Sequence, residues 1–176
     1  EVGALYAGVI ALFVLRRRRL VVVAAGIITI LVAGDVYYWR FQRYETKQLR
    51  ITHLNVGQGD AAVVELPGGK ILVIDAGGAA VGDFDTGESI VAPYLRSRKI
   101  LKVDYLLVSH ARIDHYGGMR ALVQEFSPHE FWSGAAKGET RRFEELDEAL
   151  ERLQIKRHDM TGAVPCRDFD AVRLCV

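Results

Sequence analysis

The chain has 176 residues, half of them hydrophobic, and 23 Lys and Arg against 22 Asp and Glu give a formal charge of +1. From Arg40 to Val176 the balance is 19 basic to 20 acidic residues, so the positive excess comes from Arg16 to Arg19 and no broad basic face for nucleic acid is indicated. The length suits one ordinary domain, but apolar residues crowd the first forty positions.

Gly3 to Leu15 is apolar yet reaches only about 20 Å as a helix, too short to cross a bilayer, and reads as the end of an earlier spanning helix. Arg16 to Arg19 reads as a short cationic loop that stays cytoplasmic. Leu20 to Trp39 carries a single charge, Asp35, and twenty helical residues span about 30 Å, the thickness of a hydrocarbon core. Tyr37, Tyr38 and Trp39 then fall where an interfacial aromatic belt belongs. Residues 1–40 are therefore expected to be a transmembrane region in contact with lipid, with residues 41–176 outside the cytoplasm. The alternative, an export signal with the arginines as its basic start, is opposed by the apolar residues before them. Because the chain opens on Glu1 with apolar sequence under way and stops inside an expected strand, Ala171 to Val176, it reads as a fragment of a longer, multi-pass protein.

Beyond Arg50 the period changes to that of strands: Leu49 to Val56, Ala61 to Leu66, the turn Pro67-Gly68-Gly69, and Lys70 to Asp75, as successive antiparallel strands. Gly57-Gln58-Gly59-Asp60 joins the first two, and Ala76-Gly77-Gly78 follows the third at the same sheet edge. Neither glycine loop has the spacing or the lysine of a nucleotide cradle. Ala79 to Glu88 reads as a polar loop and Ser89 to Arg98 as a short helix whose basic end suits the helix dipole. Val103 to Val108 is a strand, Gly117 to Phe126 a helix, and Glu139 to Gln154 an amphipathic helix with Phe143, Leu146, Leu150 and Leu153 on one face. The mixture indicates a layered α/β domain. Cys166 and Cys175, nine apart, read as two small core residues, with pairing across a hairpin in an oxidising compartment as the alternative.

The strand ending at Val108 delivers Ser109-His110-Ala111-Arg112-Ile113-Asp114-His115-Tyr116-Gly117-Gly118. Imidazole nitrogens and a carboxylate within six residues are a metal-binding combination, and the paired glycines allow the sharp turn that convergence requires. His53, His129 and His158 have no partner at ligand spacing and read as ordinary surface or core histidines.

Leu54-Asn55-Val56-Gly57-Gln58-Gly59-Asp60, Ile74-Asp75-Ala76-Gly77 and Val108-Ser109-His110 with Asp114-His115-Tyr116-Gly117-Gly118 together resemble the metallo-β-lactamase-like domain of the ComEC family of competence channels for DNA uptake. The resemblance is strongest from Leu49 to about Trp132. It implies the N-terminal part of an αβ/βα sandwich on residues 41–176, preceded by transmembrane helices in a bacterial cell membrane. By the same resemblance the domain is a metal-dependent hydrolase, a nuclease degrading the strand that is not imported, with single-stranded DNA and other competence proteins as partners. His110 would hold a first metal and Asp114 and His115 a second. His110 and Asp114 would be the catalytic pair, and Gly57, Gln58, Gly59, Asp60, Asp75 and Gly77 the supporting loops. Manganese or zinc is the expected ion, one or two of them, a carboxylate-rich site favouring manganese.

Two positions depart from the family pattern. Arg112 stands where relatives carry a ligating His or Asp, and a guanidinium cannot ligate a cation. Asn55 stands where an aspartate is usual. Arg112 either repels the first metal or points at a substrate phosphate. The alternatives to a nuclease are therefore a catalytically degenerate domain with a docking or gating role, and a membrane-anchored hydrolase of small esters.

Overall fold

The computed structural model describes residues 2–45, 48–78, 84–134, 140–160, 166–169 and 172–175. Two compact units result, Glu1–Gln42 and Arg43–Val176.

The first unit is built on one helix, α1 (Val2–Arg40), and a π-helical turn at Phe41–Glu45 straddles the boundary between the units. Arg16 to Arg19, expected as a loop, lie inside this helix. Arginine is a good helix former, and the Arg17 guanidinium sits 4.8 Å from the Phe13 ring, one turn back on the same face. Arg16–Glu45 is long and apolar enough to cross a membrane, with a mean hydropathy of 2.3 over its most apolar stretch. Gly3 to Leu15 lies within that same helix, ahead of the apolar stretch.

The second unit is built on a six-stranded sheet in the order β1-β2-β3-β4-β5-β6. Its strands are β1 (Arg50–His53), β2 (Ala61–Glu65), β3 (Ile71–Ala76), β4 (Tyr105–Val108), β5 (Glu130–Ser133) and β6 (Lys156–Asp159). The first three pair antiparallel, as the hairpin spacing predicts, and β3 through β6 are parallel. Parallel neighbours need crossovers, and helices supply them. A π-helical turn at Gly87–Val91 and α2 (Ala92–Ser97) connect β3 to β4. The short α3 (Ile113–Tyr116) and α4 (Met119–Phe126) connect β4 to β5, and α5 (Arg141–Arg152) connects β5 to β6.

The crossovers bury their apolar stripes on one face of the sheet. Leu95, Met119, Leu122, Phe143, Leu146 and Leu150 join Val63, Ile71, Val73, Leu106 and Phe131 in a single core. Each fully buried leucine contributes about 1.5–3 kcal/mol relative to an exposed one. Leu153, expected on this apolar face, lies past the end of α5 and is partly exposed. Expected helix boundaries also moved inward or outward: the Ser89 to Arg98 helix starts at Gly87, shortening the Ala79 to Glu88 loop, whose residues 79–83 lie outside the described residues. Gly117 and Gly118 form a turn before α4 instead of its first turn.

The opposite face carries Val64, Leu72, Leu107 and Trp132, packed with Phe169 of a separate hairpin, β7 (Cys166–Phe169) and β8 (Val172–Cys175). Cys166 and Cys175 face one another across this hairpin and form a disulfide. Both are exposed, so the expectation of two core residues is overturned. At directly opposed hairpin positions the two Cβ atoms are too near for small buried side chains to pack elsewhere.

Candidate metal centre

The parallel register aligns Ile74 with Leu107, which brings the end of β3 beside the end of β4 and so sets Asp75 next to Ser109. Loops at the C-terminal edge of a parallel sheet are where such folds collect functional groups. Asp75 is 4% exposed and adopts φ 54, an uncommon backbone conformation for a non-glycine residue. Its carboxylate holds three donors: the Ser109 amide at 2.8 Å, the Ser109 hydroxyl at 2.7 Å and His115 Nδ1 at 2.8 Å. A buried carboxylate with three hydrogen bonds is fully satisfied, and it fixes both ring angle and tautomer of His115.

Because the Ser109 hydroxyl donates to Asp75, its oxygen is left to accept from His110 Nδ1 at 3.0 Å. Both histidines are thereby read as Nδ1–H tautomers with Nε2 bearing the lone pair. Their ring centroids are 3.8 Å apart. His115 is buried and its Nε2 lies 3.8 Å from Asp114 Oδ2, while His110 is exposed.

The helical turn α3 produces this arrangement. Arg112 is its N-cap, and its carbonyl accepts from the amides of His115 and Tyr116 at 2.9 and 3.1 Å. That turn points the Arg112 side chain outward, 70% exposed, where Nε lies 3.4 Å from Asp114 Oδ1. Tyr116 points the other way. It is buried against the edge of Phe143, and its hydroxyl bonds Thr140, the N-cap of α5. The loop is thus clamped from behind by a distant helix.

The glycine-bearing loops act by close approach. Gly59 has φ +89, and a Cβ there would meet the Asp114 carbonyl oxygen at 1.8 Å. Gly117 and Gly118 were expected to supply backbone freedom, yet both have ordinary helical φ of −56 and −91. What Gly118 needs is space, since a Cβ would sit 2.4 Å from the Gly87 amide. Gly77 donates its amide to the Asp60 carbonyl at 2.8 Å, so Asp60 ties the two loops through its backbone while its side chain stays exposed. Asn55 accepts from the Gly57 amide at 3.1 Å, a local turn bond. Gln58 is exposed. His53 and His129 are exposed, and His158 lies 3.3 Å from Glu130. Sequence reasoning passed over Ser109 and Tyr116. A serine directly before the first histidine, at a strand end, was the available signal for the first.

For a divalent ion, the donors that fit are His115 Nε2, oriented by Asp75, and the Asp114 carboxylate. Among the described residues no three His, Cys, Asp or Glu side chains gather into a group that could hold a metal by themselves. Arg112 also engages the carboxylate that an ion there would need.

The chain has no significant sequence match among curated proteins. The sequence profile of the metallo-beta-lactamase superfamily, whose members usually bind divalent metals, matches residues 54–168, a span that takes in the whole loop and five of the six strands of the main sheet. This chain belongs to the metallo-beta-lactamase superfamily.

Proposed function

We propose that the chain is part of a multi-pass DNA-uptake channel of natural competence, and that its metallo-β-lactamase-like domain hydrolyses the DNA strand that is not imported. The observation that carries the hydrolase reading is the Asp75–His115 hydrogen bond of 2.8 Å with Nε2 turned toward Asp114. A buried carboxylate behind a histidine is the usual support of a metal ligand. In this reading His115 and Asp114 hold one divalent ion, manganese or zinc, with His110 alongside. Such an ion supplies Lewis-acid polarisation of a phosphoryl oxygen. Asp75 keeps the His115 ring in register, and Arg112, once released from Asp114, meets a neighbouring phosphate oxygen.

Two features support placement outside the cytoplasm. The Arg16 to Arg19 cluster at one end of the apolar stretch favours the cytoplasmic side, which sends the second unit outward. The Cys166–Cys175 disulfide is the bond of an oxidising compartment.

One observation favours a second reading, a degenerate domain that docks or gates: the Arg112–Asp114 ion pair removes a donor from the centre. The test is the full-length protein in detergent, incubated with end-labelled single-stranded DNA and manganese, beside His115→Ala and Asp114→Asn. Cleavage lost in both variants is the expected result. An uncut substrate with DNA import intact replaces the nuclease with the docking module.

A further inference from the structure

We propose that the loop from Arg98 to Lys102 is a docking site for an anionic phospholipid surface. The inference rests on reading α1 as membrane-spanning. Leu101 is 80% exposed, the most exposed large apolar side chain among the described residues outside and inside α1 alike. It is not a frayed end. Ile100 and Val103 on either side are fully buried, and the Ile100 amide donates to the Leu95 carbonyl at 2.8 Å, so the loop is pinned with Leu101 held outward.

Cations surround it. Lys99 and Lys102 are exposed and make no ion pair with a described residue. Arg98 is bonded to Glu65, and Lys70 to Asp104 at 2.8 Å, so the face keeps an excess of positive charge. The same loop is fastened to the start of the second unit. Arg43 Nη2 donates to the carbonyls of Arg98 and Lys99 at 3.0 and 2.6 Å, and Arg43 and Tyr44 line a cleft of about 370 Å³ with Lys70, Leu101 and Lys102. Arg43 is three residues past the end of α1 in the chain. A spanning helix therefore delivers Arg43 to the headgroup layer by connectivity alone, and the hydrogen bonds carry the Arg98 to Lys102 loop there with it. An exposed leucine flanked by lysines is the chemistry of interfacial insertion: the apolar side chain enters the acyl boundary and the cations meet phosphate headgroups.

The test uses the full chain reconstituted in phosphatidylcholine vesicles with or without phosphatidylglycerol, with a polarity-sensitive fluorophore on Leu101→Cys and, as control, on Gln124→Cys of α4. Expected are a blue shift and quenching by lipid-borne nitroxide at 101 but not at 124, dependent on phosphatidylglycerol. Lys99→Gln with Lys102→Gln should weaken the docking equilibrium about thirtyfold, from two lysines at about 1 kcal/mol each. A water-like spectrum at 101 in every vesicle, with the chain resisting carbonate extraction, overturns the docking site and leaves the spanning helix standing. Extraction by carbonate overturns the spanning helix and the docking site together. Equal quenching on pure phosphatidylcholine overturns the requirement for anionic lipid.

Discussion

The Arg112 guanidinium and the Asp114 carboxylate, two residues apart, meet at 3.4 Å on the outer side of α3, so the loop neutralises its own donor. In the metal site proposed above, affinity would be set by a competition between an internal cation and an incoming one. Replacing Arg112 with aspartate removes the competitor and adds an oxygen donor. Manganese binding to Arg112→Asp, measured by titration calorimetry, should tighten at least tenfold, with Arg112→Ala in between. If neither variant binds more tightly than the parent, the ion pair does not limit the site.

Asp75 has a heavier structural duty than any ligand. Its removal strands the Ser109 amide and frees the His115 ring. Asp75→Ala should cost about 3 kcal/mol in urea unfolding, from lost bonds to a buried charged group, and lower manganese affinity about 10- to 100-fold. A cost under about 1 kcal/mol would mean that the surrounding loops re-form their bonds without it.

Gly57 and Gly59 make a matched pair, both at positive φ in one loop. An alanine at Gly57 would have open space around its Cβ, so only backbone strain of about 1–2 kcal/mol applies. At Gly59 the same methyl strikes the Asp114 carbonyl. Thermal unfolding should show Gly59→Ala as clearly the more damaging substitution, and manganese binding should suffer in that variant alone. Equal melting temperatures would indicate that the loop swings freely away from α3.

Lys70 and Asp104 offer a pH test remote from the metal centre. The Asp104 carboxylate accepts from Lys70 at 2.8 Å and from the Ile71 amide at 3.0 Å, and its hydrogen bond holds the Lys70 ammonium above its ordinary value of 10.5. A raised folded-state value means stability that is complete below 10.5 and disappears as pH climbs through the higher folded value. Unfolding monitored from neutral to strongly alkaline pH should therefore show a loss in the parent that is absent in Lys70→Met. Asp104→Ala leaves the Ile71 amide without its partner and should cost about 1–3 kcal/mol at neutral pH.

The sheet's antiparallel start and the β4 loop were legible because alternating apolar residues and glycine turns are local signals. Strands β5 and β6 were not. Glu130-Phe131-Trp132-Ser133 is short, and Lys156-Arg157-His158-Asp159 is wholly polar, an edge strand defined by its backbone pairing to β5 and not by apolar alternation. The arginine run misled in the other direction: charge suggested a break, yet helix propensity carried the backbone through it. At the His/Asp loop, the residue types made a candidate donor set legible, but not the ion pair. Two side chains two apart on a helical turn usually diverge, and only the N-cap geometry of Arg112 swings them together.

The bond from Tyr116 to Thr140 means that the segment bearing His115 is also a strut of the fold, joining the His/Asp loop to the start of α5. Selection for stability alone would keep Tyr116, Gly117, Gly118 and Asp75 in place in a lineage that had abandoned hydrolysis. Those residues thus answer to folding first, whereas the Arg112 side chain, 70% exposed and paired with Asp114, is where a substitution alters the donor set while leaving that strut in place.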